Sequence, residues 1–146
     1  MPKVERSATV SWEGNVARGN GSITAATGAF TELPYSLPTR IGQPEGKTSP
    51  EELLAAAHAG CLTMSLASEL TQAGTPPGRL EARCTIVMDE VEGQGHQIVA
   101  SRVSITADVD GVSAEELDSA LERADEGCPF SQLLKRAGAD VSIALG

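Results

Sequence analysis

The chain has 146 residues, of which 40% are apolar and 21% are charged, a balance typical of one globular domain. Acidic residues outnumber basic ones by 20 to 11, and the formal net charge of -9 argues against nucleic acid or an anionic membrane as a partner. Aromatic residues make up only 3%, which excludes a platform for stacking nucleic-acid bases.

The N-terminal segment carries charged side chains and lacks the apolar core of a secretory signal. No stretch of the sequence is expected to reach the length of a membrane span. The three cysteines, Cys61, Cys84 and Cys128, lie too far apart to suggest a secreted disulfide framework or a zinc site built on paired cysteines. We therefore expect a cytoplasmic protein with reduced thiols.

Two strands and a long loop are predicted ahead of the first helix. Apolar and polar residues alternate from Val4 to Trp12, which is the period of a half-buried strand. A turn at residues 13–15 and a second strand at residues 21–26 follow. Prolines and glycines then predict a long irregular segment, and long loops in compact domains are usually functional.

A long helix is predicted over residues 50–73. Ser49 can cap it, Pro50 suits its first position, and Glu52 completes a capping box with Ser49. The helix is nearly uncharged over residues 53–67, so we expect burial on most of its faces. Its small residues at positions 55–60 would let a second helix or a partner subunit approach closely.

The rest of the chain alternates strands and helices. A hairpin is predicted from strands at residues 79–88 and 98–109, and Ser113 can cap a helix that ends near Glu126. Cys128 precedes Pro129 in the position of an N-cap for a short helix that runs to about Arg136, before a final strand. We expect a single α+β domain that spans residues 1–146.

Cys61 lies deep in the long helix, where a cysteine is usually a small core residue. It is eleven residues beyond Pro50, and the dipole of a helix acts only over its first turn, so its own helix cannot activate it. Arg40 in the long loop is the candidate cation, and Glu51 is the carboxylate that could hold it. The alternatives are a solvated Arg40 and a Glu51 that only complements the helix dipole.

The spacing of Glu51 and Cys61 tests this idea. Ten residues of straight helix separate them by about 15 Å, so one helix cannot bring the two side chains together. A second, antiparallel copy of the helix could place Glu51 of one chain beside Cys61 of the other. The hypothesis is a site at a dimer interface.

Three further residues have open interpretations. His58 lies three residues before Cys61, on the same side of the helix, where it is either a thiol-activating base or a packed, hydrogen-bonded histidine. Cys84 falls on the apolar face of its strand and is expected to be structural. Zinc ligation by His58, Cys61 and Cys128 is disfavoured, because three ligands without close spacing are an unusual zinc site.

Five segments give the sequence a family resemblance over essentially its whole length. They are Pro34-Tyr35, Thr39-Arg40, Thr48-Ser49-Pro50-Glu51-Glu52-Leu53, Ala56-Ala57-His58-Ala59-Gly60-Cys61 and Gly127-Cys128-Pro129-Phe130-Ser131-Gln132. Together they resemble the OsmC/Ohr family, and Trp12-Glu13-Gly14 resembles its OsmC branch more than its organic-hydroperoxide-resistance branch. Gly60 and Leu62 depart from the usual alanine and phenylalanine, which bears on the shape of the substrate pocket.

The resemblance implies an α+β fold with antiparallel sheets around a long central helix, in an intertwined homodimer. It implies a peroxidase for organic hydroperoxides, with hydrogen peroxide as a poorer substrate and no bound metal, haem or flavin. Cys61 matches the peroxidatic cysteine, Cys128 the resolving cysteine, Arg40 the activating arginine and Glu51 the carboxylate that orients it. The implied reductant is an external dithiol, dihydrolipoamide or a lipoylated protein.

Two alternatives remain from the sequence. In one, the same disulfide switches the surface of a non-catalytic redox sensor or protein-interaction module. In the other, the thiols are only structural. Slow turnover with alkyl peroxides despite rapid single oxidation would favour the sensor over the enzyme.

Overall fold

Two units, Met1–Pro50 and Glu51–Gly146, make up the chain in a computed structural model that describes residues 3–146. Each has its own three-stranded sheet. That the whole chain acts as one domain stays a prediction.

The first unit is an antiparallel sheet followed by a short helix. Its strands, in the order β1-β2-β3, are Ala8–Glu13, Asn20–Ala25 and Leu33–Tyr35, and α1 is Leu37–Ile41. The first two strands confirm the sequence prediction, although β1 begins later than Val4. The loop prediction missed β3 and α1, because both are very short and lie among prolines. Ser36 caps α1 by accepting the Thr39 N–H at 3.3 Å.

Strand β1 is exposed on both faces, so the prediction of a half-buried strand was wrong for this unit. The side chain of Val10 is 53% exposed. The strand forms the edge of its sheet, and the buried residues of the unit's first two strands, Gly21 and Ile23, lie on its neighbour β2. Alternation in sequence predicted the strand but not the layer that would cover it.

The second unit contains three helices and a mixed sheet. The helices are α2 (Pro50–Gln72), α3 (Ala114–Glu126) and α4 (Pro129–Arg136), and the strands are β4 (Arg79–Val91), β5 (Gly95–Asp108) and β6 (Asp140–Leu145). The β4–β5 hairpin is antiparallel as predicted, but β6 pairs in parallel with β5. The expectation of antiparallel sheets therefore holds for the strand pairs β1–β2, β2–β3 and β4–β5, and was wrong for β5–β6. The helices α3 and α4 supply the crossover that a parallel pair requires.

The core of the second unit forms between α2, the sheet and α3. Leu62, Leu66 and Leu70 of α2 are at most 1% exposed and pack against Val103 and Ile105 of β5. Alanine and leucine side chains of α3 and the Cys128 thiol complete the cluster. The site cysteine is therefore part of the packed interior.

Helix α2 is buried on one face only, so the prediction of burial on most faces was wrong for the chain alone. The buried positions recur every four residues, which is the spacing of one helix face. The opposite face is exposed and carries Glu52, Ala56, Gly60, Met64 and Ser68. Its uncharged middle is thus not explained by contacts within its own unit.

Helix α2 is also long and apolar enough, by length and composition, to cross a membrane, since it has 23 residues and contains an 18-residue window with a mean hydropathy of 1.3. The expectation that no segment reaches this length was wrong. The core helix of a globular protein meets the same condition, and α2 places its leucines in such a core. Length and composition alone are weak grounds for a membrane span.

Candidate active site

The structure brings Cys61 and Cys128 together within the second unit. Cys61 lies on α2, is partly buried and packs against the core cluster that contains Cys128. Cys128 is 0% exposed and comes directly before α4. Both thiols are free, so the pair is in its reduced form.

The N-terminus of α4 holds both sulfur atoms. Cys128 is the N-cap, as the sequence predicted, and its Sγ accepts the Ser131 N–H at 3.5 Å. The Phe130 N–H, one residue earlier, donates to the Cys61 thiol. Two consecutive N–H groups at the positive end of a helix dipole are thus directed at the two sulfur atoms.

Opposing influences act on the pKa of Cys61. Burial raises this pKa most, and hydrogen bonding to the Cys128 thiol and repulsion from its charge raise it further. The hydrogen bond from the Phe130 N–H lowers it, because a donor favours the thiolate. The net direction is upward, so within this unit Cys61 is held mainly as a thiol and needs a further positive charge to ionise.

Arg40 lies at the end of α1 in the first unit, where it lines a cavity of about 320 Å³. The other walls are mainly apolar and aromatic, with Trp12 and Tyr35 rings whose centroids are 5.6 Å apart. A side chain at Gly21 would collide with both rings, which explains why glycine fits there. The cavity can therefore accept a molecule with an apolar body and a polar end beside a guanidinium.

Glu51 lies in the first turn of α2, and the helix continues without a break past Cys61. A rise of about 1.5 Å per residue keeps the two side chains of one helix roughly 15 Å apart. The structure thus does not bring Glu51 to the Cys61 of its own α2. The roles of Arg40 and Glu51 stay predictions.

His58 is completely buried and makes hydrogen bonds through both ring nitrogens. Nδ1 lies 2.6 Å from Ser101 Oγ, and Nε2 lies 2.7 Å from Ser131 Oγ. Burial lowers the pKa of His58, Lys135 lowers it further, and Asp125 acts against both. This confirms the packed, hydrogen-bonded alternative, because both ring nitrogens are engaged by buried serine hydroxyls.

Cys84 borders the same polar cluster. Its Sγ lies 3.3 Å from Ser101 Oγ and 3.9 Å from His58 Nδ1. Burial raises its pKa more than the Ser101 hydroxyl lowers it, so the thiol stays protonated. Its structural role stays a prediction. In residues 3–146, no group of three or more histidine, cysteine or acidic side chains is arranged to hold a metal ion.

A protein-family model described as OsmC-like protein matches residues 42–144, which include α2, both site cysteines, strands β4 and β5, and all of β6 except Leu145. The chain belongs to the OsmC-like protein family. Proteins named Peroxiredoxin OsmC from Escherichia coli (strain K12) and Shigella flexneri are each 36% identical to it over 124 residues, covering 85% of both chains.

Solved structures of OsmC-like and related proteins share the fold. The organic hydroperoxide resistance protein OhrB of Bacillus subtilis matches 96% of this chain and 98% of its own, with a TM-score of 0.75 and 23% identity. An OsmC-like protein of unknown function from Vibrio cholerae matches 99% of this chain and 100% of its own, with a TM-score of 0.79 and 15% identity. At these identities the likeness establishes the α+β fold alone.

Sequence reasoning on this OsmC-like chain missed the contribution of α4 to Cys61. The sequence indicated that the helix carrying Cys61 cannot activate it, and a loop cation, Arg40, was predicted instead. The signal was present in Cys128-Pro129-Phe130-Ser131, because an N-cap followed by proline leaves the next two N–H groups without partners inside the helix. The sequence alone does not show that Cys61 lies opposite the first turn of α4.

Proposed function

We propose that this chain is a thiol-dependent peroxidase that reduces organic hydroperoxides, and hydrogen peroxide more weakly, in defence against oxidative stress. The observation that carries the proposal is the pair of reduced thiols, Cys61 and Cys128, held by consecutive N–H groups of one helix terminus. The relatives named Peroxiredoxin OsmC support the reaction class. The enzyme requires no bound cofactor, and a cytoplasmic location stays a prediction.

The first step oxidises Cys61. Its thiolate attacks the terminal oxygen of the hydroperoxide, the O–O bond breaks, and an S–O bond forms. The leaving alkoxide takes up a proton and departs as the alcohol, while Cys61 becomes a sulfenic acid. Arg40 favours the thiolate and stabilises the charge on the leaving oxygen, and Glu51 orients the guanidinium.

The next steps return the enzyme to its starting state. The Cys128 sulfur attacks the sulfenic acid, releases water and forms a Cys61–Cys128 disulfide. An external dithiol, dihydrolipoamide or a lipoylated protein, then exchanges with this disulfide. The two cysteines regain their thiols, and the donor leaves as its own disulfide.

The accessibility of the two sulfur atoms supports this order. Cys61 is partly exposed, whereas Cys128 is completely buried, so an incoming peroxide meets Cys61 first. The Phe130 N–H also favours a negative sulfur at position 61.

The mainly apolar cavity around Arg40 suits the carbon part of an organic peroxide better than it suits hydrogen peroxide.

A homodimer completes the proposed site. Glu51 cannot reach the Cys61 of its own helix, so a second chain must supply the carboxylate and the arginine that it holds. The exposed face of α2 is suited to that contact, because it borders a groove of about 590 Å³ with Gly60, Met64 and Leu80 among its walls. Met64 is 76% exposed in the single chain.

A steady-state assay tests the proposed function. Cumene hydroperoxide and hydrogen peroxide are compared as substrates, with dihydrolipoamide as the electron donor and the loss of peroxide as the readout. The protein should turn over repeatedly, with a higher kcat/KM for cumene hydroperoxide. One oxidation per chain without turnover, with every dithiol tried, would contradict an enzyme and favour the redox sensor.

Three cysteine variants give that assay its controls. Cys61→Ser should have no activity, because a serine hydroxyl is not ionised near neutral pH. Cys128→Ser should be oxidised once and then accumulate Cys61 sulfenic or higher acids. Cys84→Ser should keep the activity of the unmodified chain. Turnover by Cys61→Ser would refute the assignment.

A further inference from the structure

Helix α4 is held in place by polar contacts at both of its ends. The Cys128 N–H donates to the Asp125 carbonyl at 3.2 Å, and Lys135 pairs with the Asp125 carboxylate. These contacts join α4 to α3. Two contacts join α4 to α2, the helix of Cys61: the hydrogen bond between Ser131 Oγ and His58 Nε2, and the bond from the Phe130 N–H to the Cys61 thiol.

Ser131 is linked to both sides of the disulfide-forming pair. Its backbone N–H donates to Cys128 Sγ at 3.5 Å, and its hydroxyl bonds to His58 at 2.7 Å. His58 stands three residues before Cys61 on α2, within one helical turn. A short path of contacts therefore runs from the resolving sulfur, through Ser131 and His58, to the turn that carries the peroxidatic sulfur.

We propose that His58 is a positioning residue for the resolving step: its hydrogen bond to Ser131 keeps the first turn of α4, and with it Cys128, opposite Cys61. This inference rests on the proposed function, because it concerns the attack of Cys128 on oxidised Cys61. His58 itself touches neither the peroxide nor the reacting oxygen.

Burial makes this contact rigid. His58, Ser101 and Ser131 are all 0% exposed. Breaking a hydrogen bond among them would leave buried polar atoms that water cannot reach, which costs free energy. The bond between Nδ1 and Ser101 Oγ fixes the ring from the side of β5, which leaves Nε2 aimed at α4. Breaking the bond to Ser131 would let the first turn of α4 move and lower the share of time that Cys128 spends within reach.

The consequence is a change in the fate of the sulfenic acid, not in its formation. A sulfenic acid that meets Cys128 late reacts with a second peroxide and becomes a sulfinic acid. The partition of Cys61, which is the ratio of disulfide to sulfinic acid formed there, therefore measures how well Cys128 is positioned. Mass spectrometry measures this partition after exposure to graded cumene hydroperoxide, and a rapid-mixing experiment measures the first oxidation separately.

Two substitutions of His58 separate its two hydrogen bonds. The amide of asparagine reaches about as far as Nδ1, and that of glutamine about as far as Nε2, so His58→Asn keeps only the Ser101 side and His58→Gln keeps the Ser131 side. In His58→Asn, the peroxide concentration at which half of Cys61 becomes sulfinic acid should fall by about tenfold. This is the size of effect expected from the loss of one buried hydrogen bond. His58→Gln should stay near the unmodified chain.

Serine variants supply the matched controls. Ser131→Ala removes the hydroxyl at the α4 end and should reproduce the His58→Asn result. Ser101→Ala removes an equally buried hydroxyl on β5, and should lower the melting temperature without changing the partition. The rate of the first Cys61 oxidation should be unchanged in all four variants.

The outcomes distinguish this inference from the proposed function. Absence of a Cys61–Cys128 disulfide in the unmodified chain would refute the function itself. If that disulfide forms but His58→Asn and Ser131→Ala partition like the unmodified chain, only the positioning role is wrong. A slower first oxidation in both His58 variants, with an unchanged partition, would assign His58 to Cys61 activation and also overturn the inference.

Discussion

The reactivity of Cys61 depends on how its surroundings divide between the thiol and the thiolate. Burial and the neighbouring Cys128 thiol favour the protonated form, and the Phe130 N–H favours the thiolate. Because the balance within the second unit lies on the side of the thiol, a cation is still needed at the moment of attack. This requirement is the physical reason to retain Arg40 in the proposed mechanism.

The lowered pKa of His58 predicts a pH dependence of stability. The unfolded chain protonates this histidine below its ordinary pKa of 6.5, whereas the folded protein resists protonation until the pH is lower. In that window the unfolded state binds more protons, so the free energy of unfolding falls as the pH decreases below 6.5. Above pH 6.5 this contribution is constant.

Urea unfolding at a series of pH values between 5 and 7.5 measures this effect as the difference between the unmodified chain and His58→Gln. The variant should lose the part of the slope that appears below pH 6.5. Asp125 and Lys135, the charged groups that act on His58, are present in both proteins, so the difference between the slopes reports the titration of His58 in their presence. Equal slopes in the two proteins would show that His58 is not held neutral.

At the scale of elements, α2 has two different faces. One face packs His58 and three leucines into the second unit, and the other exposes small residues and Met64. The space around Gly60 is open within the described chain, since a Cβ added there would have no neighbour within 4 Å outside its own helical turn. Nothing in the unit therefore explains the small side chain at this position.

Substitution of Gly60 tests whether a second chain packs there. Gly60→Ala should stabilise an isolated chain by about 1 kcal/mol, because alanine favours a helix and has room. Gly60→Leu should be accommodated equally well by the single chain but should weaken the dimer, as measured by sedimentation at several concentrations. Ser119→Leu, at an exposed position of α3 and away from this face, is the control for added bulk. Dimerisation of Gly60→Leu at the unmodified affinity would contradict packing at this point.

Local chemistry made most elements predictable from the sequence. Ser113 caps α3 by accepting the Glu116 N–H at 3.1 Å, and Cys128 caps α4, both as their sequence positions indicated. The parallel pairing of β6 was not predictable, because strand alternation does not specify the partner. The burial of α2 was overestimated for a similar reason. The composition of a helix shows that its surface is apolar but does not show which element covers that surface.

The candidate site was only partly predictable. Cys61 and Cys128 followed from motifs, and the N-cap position of Cys128 followed from its proline. The network of His58 with Ser101 and Ser131 joins residues 43 and 73 positions apart in sequence. No pattern in one sequence predicts such long-range contacts, so they became visible only in the fold.

In the proposed homodimer, each complete site requires residues from two chains. If Arg40 of one chain serves Cys61 of the other, a heterodimer of an Arg40→Ala chain with a Cys61→Ser chain contains one intact site. That heterodimer should regain about half of the activity although each parent homodimer is inactive.

The matched control places both substitutions in one chain and pairs it with an unmodified chain. Sharing across chains then leaves no intact site, whereas sites within single chains leave one. Activity in this control heterodimer, together with none in the first, would refute the shared site.

Mapping the disulfide that forms on oxidation tests whether Cys61 and Cys128 are a redox-active pair. The reduced protein is treated with one equivalent of cumene hydroperoxide, blocked with an alkylating agent and digested without reductant for mass spectrometry. We expect a Cys61–Cys128 disulfide, with Cys84 alkylated as a free thiol. A disulfide between Cys61 and Cys84, or Cys128 recovered as a free thiol after Cys61 is oxidised, would contradict it.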